Sequence, residues 1–364
     1  MRFFAFAAVF LHHMLPRSVA QEQSGIVLGS LGPETKFALA GAANALGFGL
    51  PLFFTLSAYL IGTLLLREKE RFGTIDLRSF YVRRVLRIWP LYFFGLGIGG
   101  VIALFIEKQP RDLMLFAGFA VLAGNWVAMV WHTSNPVLPL WSISVEEQFY
   151  LFCPITVKLL SRRGMYVFSI FLIVLSDLVL WVMGSRHADV DRTIWYNSFV
   201  QFQMFGGGLL LSLLMNGRSP NIRGWVRPFL LASGYGCWLL ACFVYGAKQI
   251  GPAVSGFDMV AGYGVACAGC VLVIVGMLGI DQRWLPRPLI WLGRVSFGLY
   301  VYHEIAVKIA FSLFRSFHGY EHFILTVVGG GILTVIFAAL SYRFLELPFL
   351  RMKQRFEVVP SRPA

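Results

Sequence analysis

Apolar runs of about 20 residues recur from one end of this chain to the other, and nothing else constrains its fold as strongly. A run of that length is what an α-helix needs to cross roughly 30 Å of hydrocarbon, where every backbone polar group must be satisfied within the chain. The runs lie at about 3–16, 46–66, 86–106, 144–160, 166–184, 195–215, 226–246, 258–280, 294–314 and 323–345. They predict an all-α, polytopic transmembrane helix bundle of ten spans. A further apolar run, about 113–131, would make eleven if it crossed fully. It breaks the alternation of charged loops, so it is expected to be re-entrant or to lie on the outer side. Hydrophobic residues make up 57% of the 364 and charged residues 13%, which leaves no room for a sizeable soluble domain. One transmembrane domain is expected over 1–350, followed by a short cytoplasmic tail over 351–364.

The net charge of +13 would suit nucleic acid in a soluble protein, but in a membrane protein the placement of the charges matters more. Residues 67–87 hold Arg67, Lys69, Arg71, Arg78, Arg83, Arg84 and Arg87, whereas residues 17–46 hold Arg17 and Lys36. The positive-inside rule then places both termini in the cytoplasm. Lys158, Arg162 and Arg163, Arg218, Arg223 and Arg227, Arg283 and Arg287, and Arg351, Lys353 and Arg355 all fall on that same side. The five cysteines lie in or beside apolar runs, and Cys267-x-x-Cys270 has no second pair and no nearby His. Packing is therefore expected there, and no metal. The first apolar run is short. A signal peptide ending at Ser18-Val19-Ala20 competes, but His12-His13 interrupts its core and Arg17 precedes the cleavage point. A native start further upstream explains the shortness better.

Several polar groups sit where they are costly. The segment 140–150, LWSISVEEQFY, opens a span with two adjacent carboxylates, Glu146 and Glu147. An Asp at the bilayer centre costs roughly 2.5–3.5 kcal/mol on insertion scales, so such groups usually line a cavity or pathway. Ser144-x-x-Glu147 also reads as a capping box, which would explain Glu147 but not Glu146. His12 and His13 lie in the outer half of the first span about a hundred degrees apart, so one of them is expected to face the interior. An imidazole there is a candidate general base, with a carboxylate of the Glu pair to orient it; the competing role is an interhelical hydrogen bond. Arg83, Arg84 and Arg87 form a cluster suited to a phosphate-rich cytoplasmic ligand, or to lipid headgroups. Late in the chain, His303 with Tyr300 is a candidate substrate path, together with Ser144 and Trp141. Glu304 and Lys308, four apart, are expected to pair with each other, and Arg343 with Glu346 to close the last span. Gly95-x-Gly97-x-x-Gly100 lies inside an apolar span with no strand beside it. Close helix packing through Gly95-x-x-x-Gly99 explains it, as it does Gly206–Gly208.

Taken in order, these elements resemble the integral-membrane acyltransferases of the acyltransferase-three family, over nearly the whole length. The matching parts are Arg2-x10-His13, FFTLSAYL at 53–60, FYVRRVLRIWP at 80–90 and LWSISVEEQFY at 140–150. They continue with Leu292-Gly293 through Ser296 and Tyr300 to His303, and with SYRFLELP at 341–348. Ala58 stands where that family usually has Gly. The resemblance implies an O-acyltransferase of the bacterial inner membrane, using acyl-CoA (acetyl-CoA above all) as co-substrate and acylating a sugar-containing acceptor. No permanently bound cofactor and no nucleic acid are expected. It implies His13 rather than His12 as the catalytic histidine, served by Glu146 or Glu147, with Arg2, Arg83, Arg84 and Arg87 as donor-binding residues. Direct transfer and an acyl-histidine intermediate both remain open. The rival class is a proton-coupled or solute transporter, which midplane His and Glu residues would also suit, although the chain lacks paired broken helices or inverted halves.

Overall fold

The computed structural model describes residues 1–20, 32–106, 108, 112–131, 135–218, 220–249 and 251–359. Among the described residues there is no strand, only an isolated bridge between Asp189 and Pro252. The helices are α1 Arg2–Ala20, α2 Pro33–Ala45, α3 Gly49–Phe72, α4 Leu77–Val101, α5 Leu113–Ala120, α6 Gly124–Val130, α7 Trp141–Leu159 and α8 Arg162–Ser185. After them come α9 Ser198–Met215, α10 Val226–Phe243, α11 Gly256–Met277, α12 Arg287–Arg294, α13 Ser296–Leu313, α14 Gly319–Ser341 and α15 Leu347–Gln354. Seven helical stretches are long and apolar enough to cross a membrane, which makes this a multi-pass membrane protein. They contain α3, α4, α8, α9, α10, α11 and α14. The other three expected spans fall on α1, which is apolar but shorter, and on α7 and α13. Glu146, Glu147 and Lys158 in α7, and His303, Glu304 and Lys308 in α13, set those two apart from the seven.

The run at 113–131 does not form one helix. Leu122, at φ +59°, separates α5 from α6. Their 8 and 7 residues each rise only about 10–12 Å, well short of the hydrocarbon thickness. A buried polar network fixes this break: Gln148 donates to the carbonyl of Leu122 and to Asn125, and Ser198 donates to Gln148. The expected tail begins inside α15, which packs on α4; residues 360–364 lie outside the described ones.

The bundle is centred on α9, whose span is 78% buried against 28% for α8. Successive helical residues point about 100° apart, so Gly206, Gly207 and Gly208 face three different neighbours. A Cβ on Gly206 would stand 2.8 Å from the Ser169 carbonyl of α8, one on Gly207 2.7 Å from Cys267 Sγ of α11, and one on Gly208 2.2 Å from the Thr55 carbonyl of α3. The glycines let two backbones and the Cys267 side chain approach one helix at the same level. Ala58, 0% exposed, takes part in the Gly208 crossing. Phe205 stacks on Phe54 of α3 and Phe149 of α7, with ring centroids 5.0 and 4.2 Å apart, so the same turn of α9 also sets the position of α7.

Basic residues close several helix ends. Lys69 donates to the carbonyls of Val157, Lys158 and Leu160 at the end of α7. Arg162 reaches Leu213 at the end of α9, and Arg227 reaches Gly276 and Leu278 at the end of α11. Each answers carbonyls that a helix C-terminus leaves unpaired, where the dipole also favours a cation. At its start, α4 is capped by Asp76, which accepts from the Ser79 amide at 3.0 Å and the Ser79 hydroxyl at 2.6 Å.

Two local expectations fail. The capping box does not form, because a 3-10 turn at Leu138–Leu140 runs straight into α7 at Trp141 and leaves Ser144 inside the first turn. The Ser144 hydroxyl instead accepts from the Gly124 amide at 3.2 Å. Arg343 and Glu346 do not pair: Tyr342–Glu346 is a π-helical turn, whose wider winding parts residues three apart. Arg343 lies exposed over the Phe344 ring, while Glu346 is buried against Gly298.

Candidate functional site

Two polar centres lie along one pair of neighbouring helices. The first is a partly open cavity with about 690 Å³ of space within it and at its mouth. Arg2, Arg84, Arg87, Glu146, Tyr150 and Tyr300 supply its polar wall, together with Ser57, Ser142 and Ser296; Phe53, Phe54 and Ile88 are among its apolar lining. Three guanidiniums converge here. Glu146 is their carboxylate, and it accepts hydrogen bonds from the hydroxyls of Ser57 and Tyr150. Charge alone therefore leaves an excess of positive potential in a cavity with both polar and apolar walls, an arrangement suited to a multiply charged anion. Arg84 also lies over the rings of Phe80 and Tyr150, at 5.4 and 5.3 Å, which fixes its fork.

Arg83 is not part of that wall. It donates to the Phe356 carbonyl and lies 3.6 Å from Glu68, so it fastens the end of the chain to α3 and α4. Glu147 is likewise turned away, accepting from Trp89 Nε1 at 3.0 Å. Trp141 is buried against Tyr196, ring centroids 4.8 Å apart, and neither it nor Ser144 lines the cavity.

The second centre holds His13, His303 and Glu304. His13 Nδ1 is 3.0 Å from Glu304 Oε1, and His303 Nε2 is 3.9 Å from the same oxygen. His303 Nδ1 is 2.6 Å from the Tyr300 carbonyl. A carbonyl can only accept, so Nδ1 of His303 carries a proton, and in the neutral ring Nε2 presents its lone pair. The carboxylate beside His13 is therefore Glu304, not Glu146 or Glu147, which the structure places with Ser57 and Tyr150 and with Trp89. His12 points elsewhere, with Nδ1 3.1 Å from the Ala43 carbonyl of α2.

Spacing alone carries no direct signal for Glu304, because its i,i+4 neighbour Lys308 already supplies a local explanation. A carboxylate one residue after a mid-span histidine is the signal that could have found it.

Helix geometry joins the two centres. Arg2 and His13 are eleven residues apart on α1, about 16 Å and three turns to within some 20°, so they share a face. Along α13, Ser296, Tyr300, His303 and Glu304 run beside them in the same direction, from the cavity wall to the His13 pair. Tyr300 is the link: its hydroxyl donates to the Pro139 carbonyl at 2.7 Å and lies 2.7 Å from Ser142 Oγ, and its ring centroid is 5.6 Å from that of His303. His303 in turn lies 5.2 Å from the His13 ring.

A membrane-embedded bundle that runs from an anion cavity to a histidine–carboxylate pair defines a group-transfer site better than a structural one. The chain belongs to the acyltransferase-three family: the family description that matches, an acyltransferase domain, covers residues 1–343. Among relatives, a Staphylococcus aureus (strain COL) protein provisionally named an O-acetyltransferase is 25% identical over 346 residues, 87% of this chain and 54% of that protein. Another, provisionally named peptidoglycan O-acetyltransferase YrhL, from Bacillus subtilis (strain 168), is 27% identical over 331 residues, 84% of this chain and 51% of that protein. O-acetyltransferase OatA of Staphylococcus aureus (strain NCTC 8325 / PS 47) is 23% identical over 320 residues, 82% and 52% of the two chains. The chain thus spans about half the length of these curated relatives. No solved structure matches it.

Proposed function

We propose that this protein is a membrane O-acyltransferase that moves an acetyl or other short acyl group from acyl-CoA to a hydroxyl of a cell-envelope carbohydrate. Relatives named for O-acetylation, one of them for peptidoglycan, support a glycan acceptor. In this reading ten segments cross the bacterial inner membrane, both termini are cytoplasmic, and the end of the bundle closed by Lys69, Arg162 and Arg227 faces the cytoplasm. The single observation that carries the reading is the shared face of α1 and α13, which leads from the arginine cavity to His13.

The donor phosphates sit on Arg2, Arg84 and Arg87, and the flexible thioester arm extends past Tyr300. With its Nδ1 facing Glu304 at 3.0 Å, His13 keeps Nε2 as the base. Nε2 takes the proton of the acceptor hydroxyl while that oxygen bonds to the thioester carbonyl carbon. The carbon–sulfur bond then breaks, and the departing thiolate takes the proton from His13. The products are the O-acyl ester and free CoA thiol.

Membranes carrying wild type, His12→Ala or His13→Ala, supplied with radiolabelled acetyl-CoA, test the reading. Label should reach envelope carbohydrate with wild type and His12→Ala and fail to do so with His13→Ala. Full transfer by His13→Ala would remove the histidine from its role. Solute or proton movement in wild type without any transfer would replace the enzyme with a transporter.

A further inference from the structure

The second centre is also built like a metal site. His13, His303 and Glu304 each offer one donor atom, and all three atoms lie within 4.8 Å of one another. Two imidazoles and one carboxylate are a donor set that suits zinc-class ions, whereas magnesium and calcium prefer oxygen alone. Bond lengths of about 2.0–2.2 Å around a tetrahedral ion put donors roughly 3.3–3.5 Å apart. The two separations to Glu304 Oε1, 3.0 and 3.9 Å, bracket that spacing. The remaining closure falls to His13, whose side chain keeps 28% exposure while those of His303 and Glu304 keep 0% and 6%.

The surroundings point the same way. Metal-bound histidines usually donate their other ring N–H to a carbonyl or carboxylate, which fixes the tautomer. His303 does this toward the Tyr300 carbonyl at 2.6 Å, so in the neutral ring its Nε2 lone pair is the donor atom left on the side of Glu304.

We propose that His13, His303 and Glu304 form a site for one divalent transition-metal ion of the zinc class, and that the bound ion switches acyl transfer off. The second half rests on His13 being the base. An ion bound to His13 Nδ1 and to Glu304 places the ring proton on Nε2 and removes the lone pair that would take the acceptor's proton. Three protein donors leave the fourth position to water.

The test uses the full chain purified in detergent, with any polyhistidine tag removed. Cobalt(II) chloride is titrated while the visible absorption of four-coordinate cobalt is followed, and zinc chloride is then added to displace it. Wild type should take up one cobalt ion per chain, zinc should displace it, and magnesium chloride should not. His303→Gln should weaken cobalt binding at least tenfold with helix content unchanged; if that variant does not fold, His13→Asn serves in its place. Zinc should also inhibit wild-type transfer reversibly, with activity restored by a chelator. A folded wild type without the cobalt band, or an unaltered band in the donor variants, overturns the site. A normal cobalt band in a protein whose transfer is indifferent to zinc and to His13→Ala would leave the site standing and remove the catalytic reading instead.

Discussion

Removing Glu304 should slow transfer without disturbing donor binding, and the expected size follows from one distance. His13 Nδ1 and Glu304 Oε1 are 3.0 Å apart, close enough to form a charge-assisted pair once His13 takes up the acceptor's proton. Such bonds contribute about 1.5–3 kcal/mol, and about 1.4 kcal/mol is a factor of ten in rate. Glu304→Ala therefore predicts a fall in kcat of about 10- to 150-fold. Glu304→Gln keeps an acceptor of the same shape but loses the charge, which roughly halves the bond energy, so its fall should be nearer 4- to 12-fold. Neither change touches the arginine cavity, so the KM for acetyl-CoA should stay within twofold of wild type. The assay is steady-state transfer from acetyl-CoA to a soluble glycan fragment, with helix content measured in parallel. An Ala variant within twofold of the wild-type rate, or a loss confined to the donor KM, would refute the pairing.

Arg84→Ala and Arg87→Ala should each raise the acetyl-CoA KM tenfold or more, and more steeply at low salt; Arg83→Ala should leave it unchanged and lower the melting temperature instead, since Arg83 holds the Phe356 carbonyl. Gly208→Ala places a Cβ 2.2 Å from a backbone oxygen and should destabilise by about 1–3 kcal/mol in denaturant titrations, whereas Gly97→Ala, with nothing within 4 Å, should be neutral or stabilising. Lys248 lies 3.5 Å above the Trp195 ring, and its burial pushes the ammonium down to about 8. Because the unfolded chain then holds a proton that the folded chain has lost, stability should rise between about pH 8 and 10.5, by at most about 1.4 kcal/mol per pH unit, and Lys248→Met should flatten that rise in thermal melts.

Hydropathy placed every long helix, because lipid leaves an apolar segment of that length few alternatives to an α-helix. What it could not place was register against distant partners. Ser144 and Glu147 fit a capping box by spacing, yet the helix starts at Trp141 because the turn at Leu138–Leu140 feeds directly into it. Arg83, Arg84 and Arg87 read as one cluster along the chain, but the Phe356 carbonyl and Glu68 draw Arg83 away from the other two. Glu304 is hidden in the sequence by the expected pairing with Lys308, and its contact with His13 exists only once α1 and α13 lie side by side. Local spacing proposes partners; the nearest helix decides among them.

The lysine and arginines that close helix ends bear on how the protein is oriented. Lys69, Arg162 and Arg227 are the kind of charges from which membrane orientation is inferred, and each also ties the end of one helix to the terminus of another. Reversing their sign to flip the protein would also untie those seams, so a loss of insertion and a loss of folding would look alike. Arg78 and Arg163 are exposed and hold no carbonyl among the described residues, which makes them cleaner levers for an orientation experiment. Natural variation should divide in the same way: charge at the exposed positions can drift as long as the total is kept, while the fastening cations are held to a side chain that can reach across.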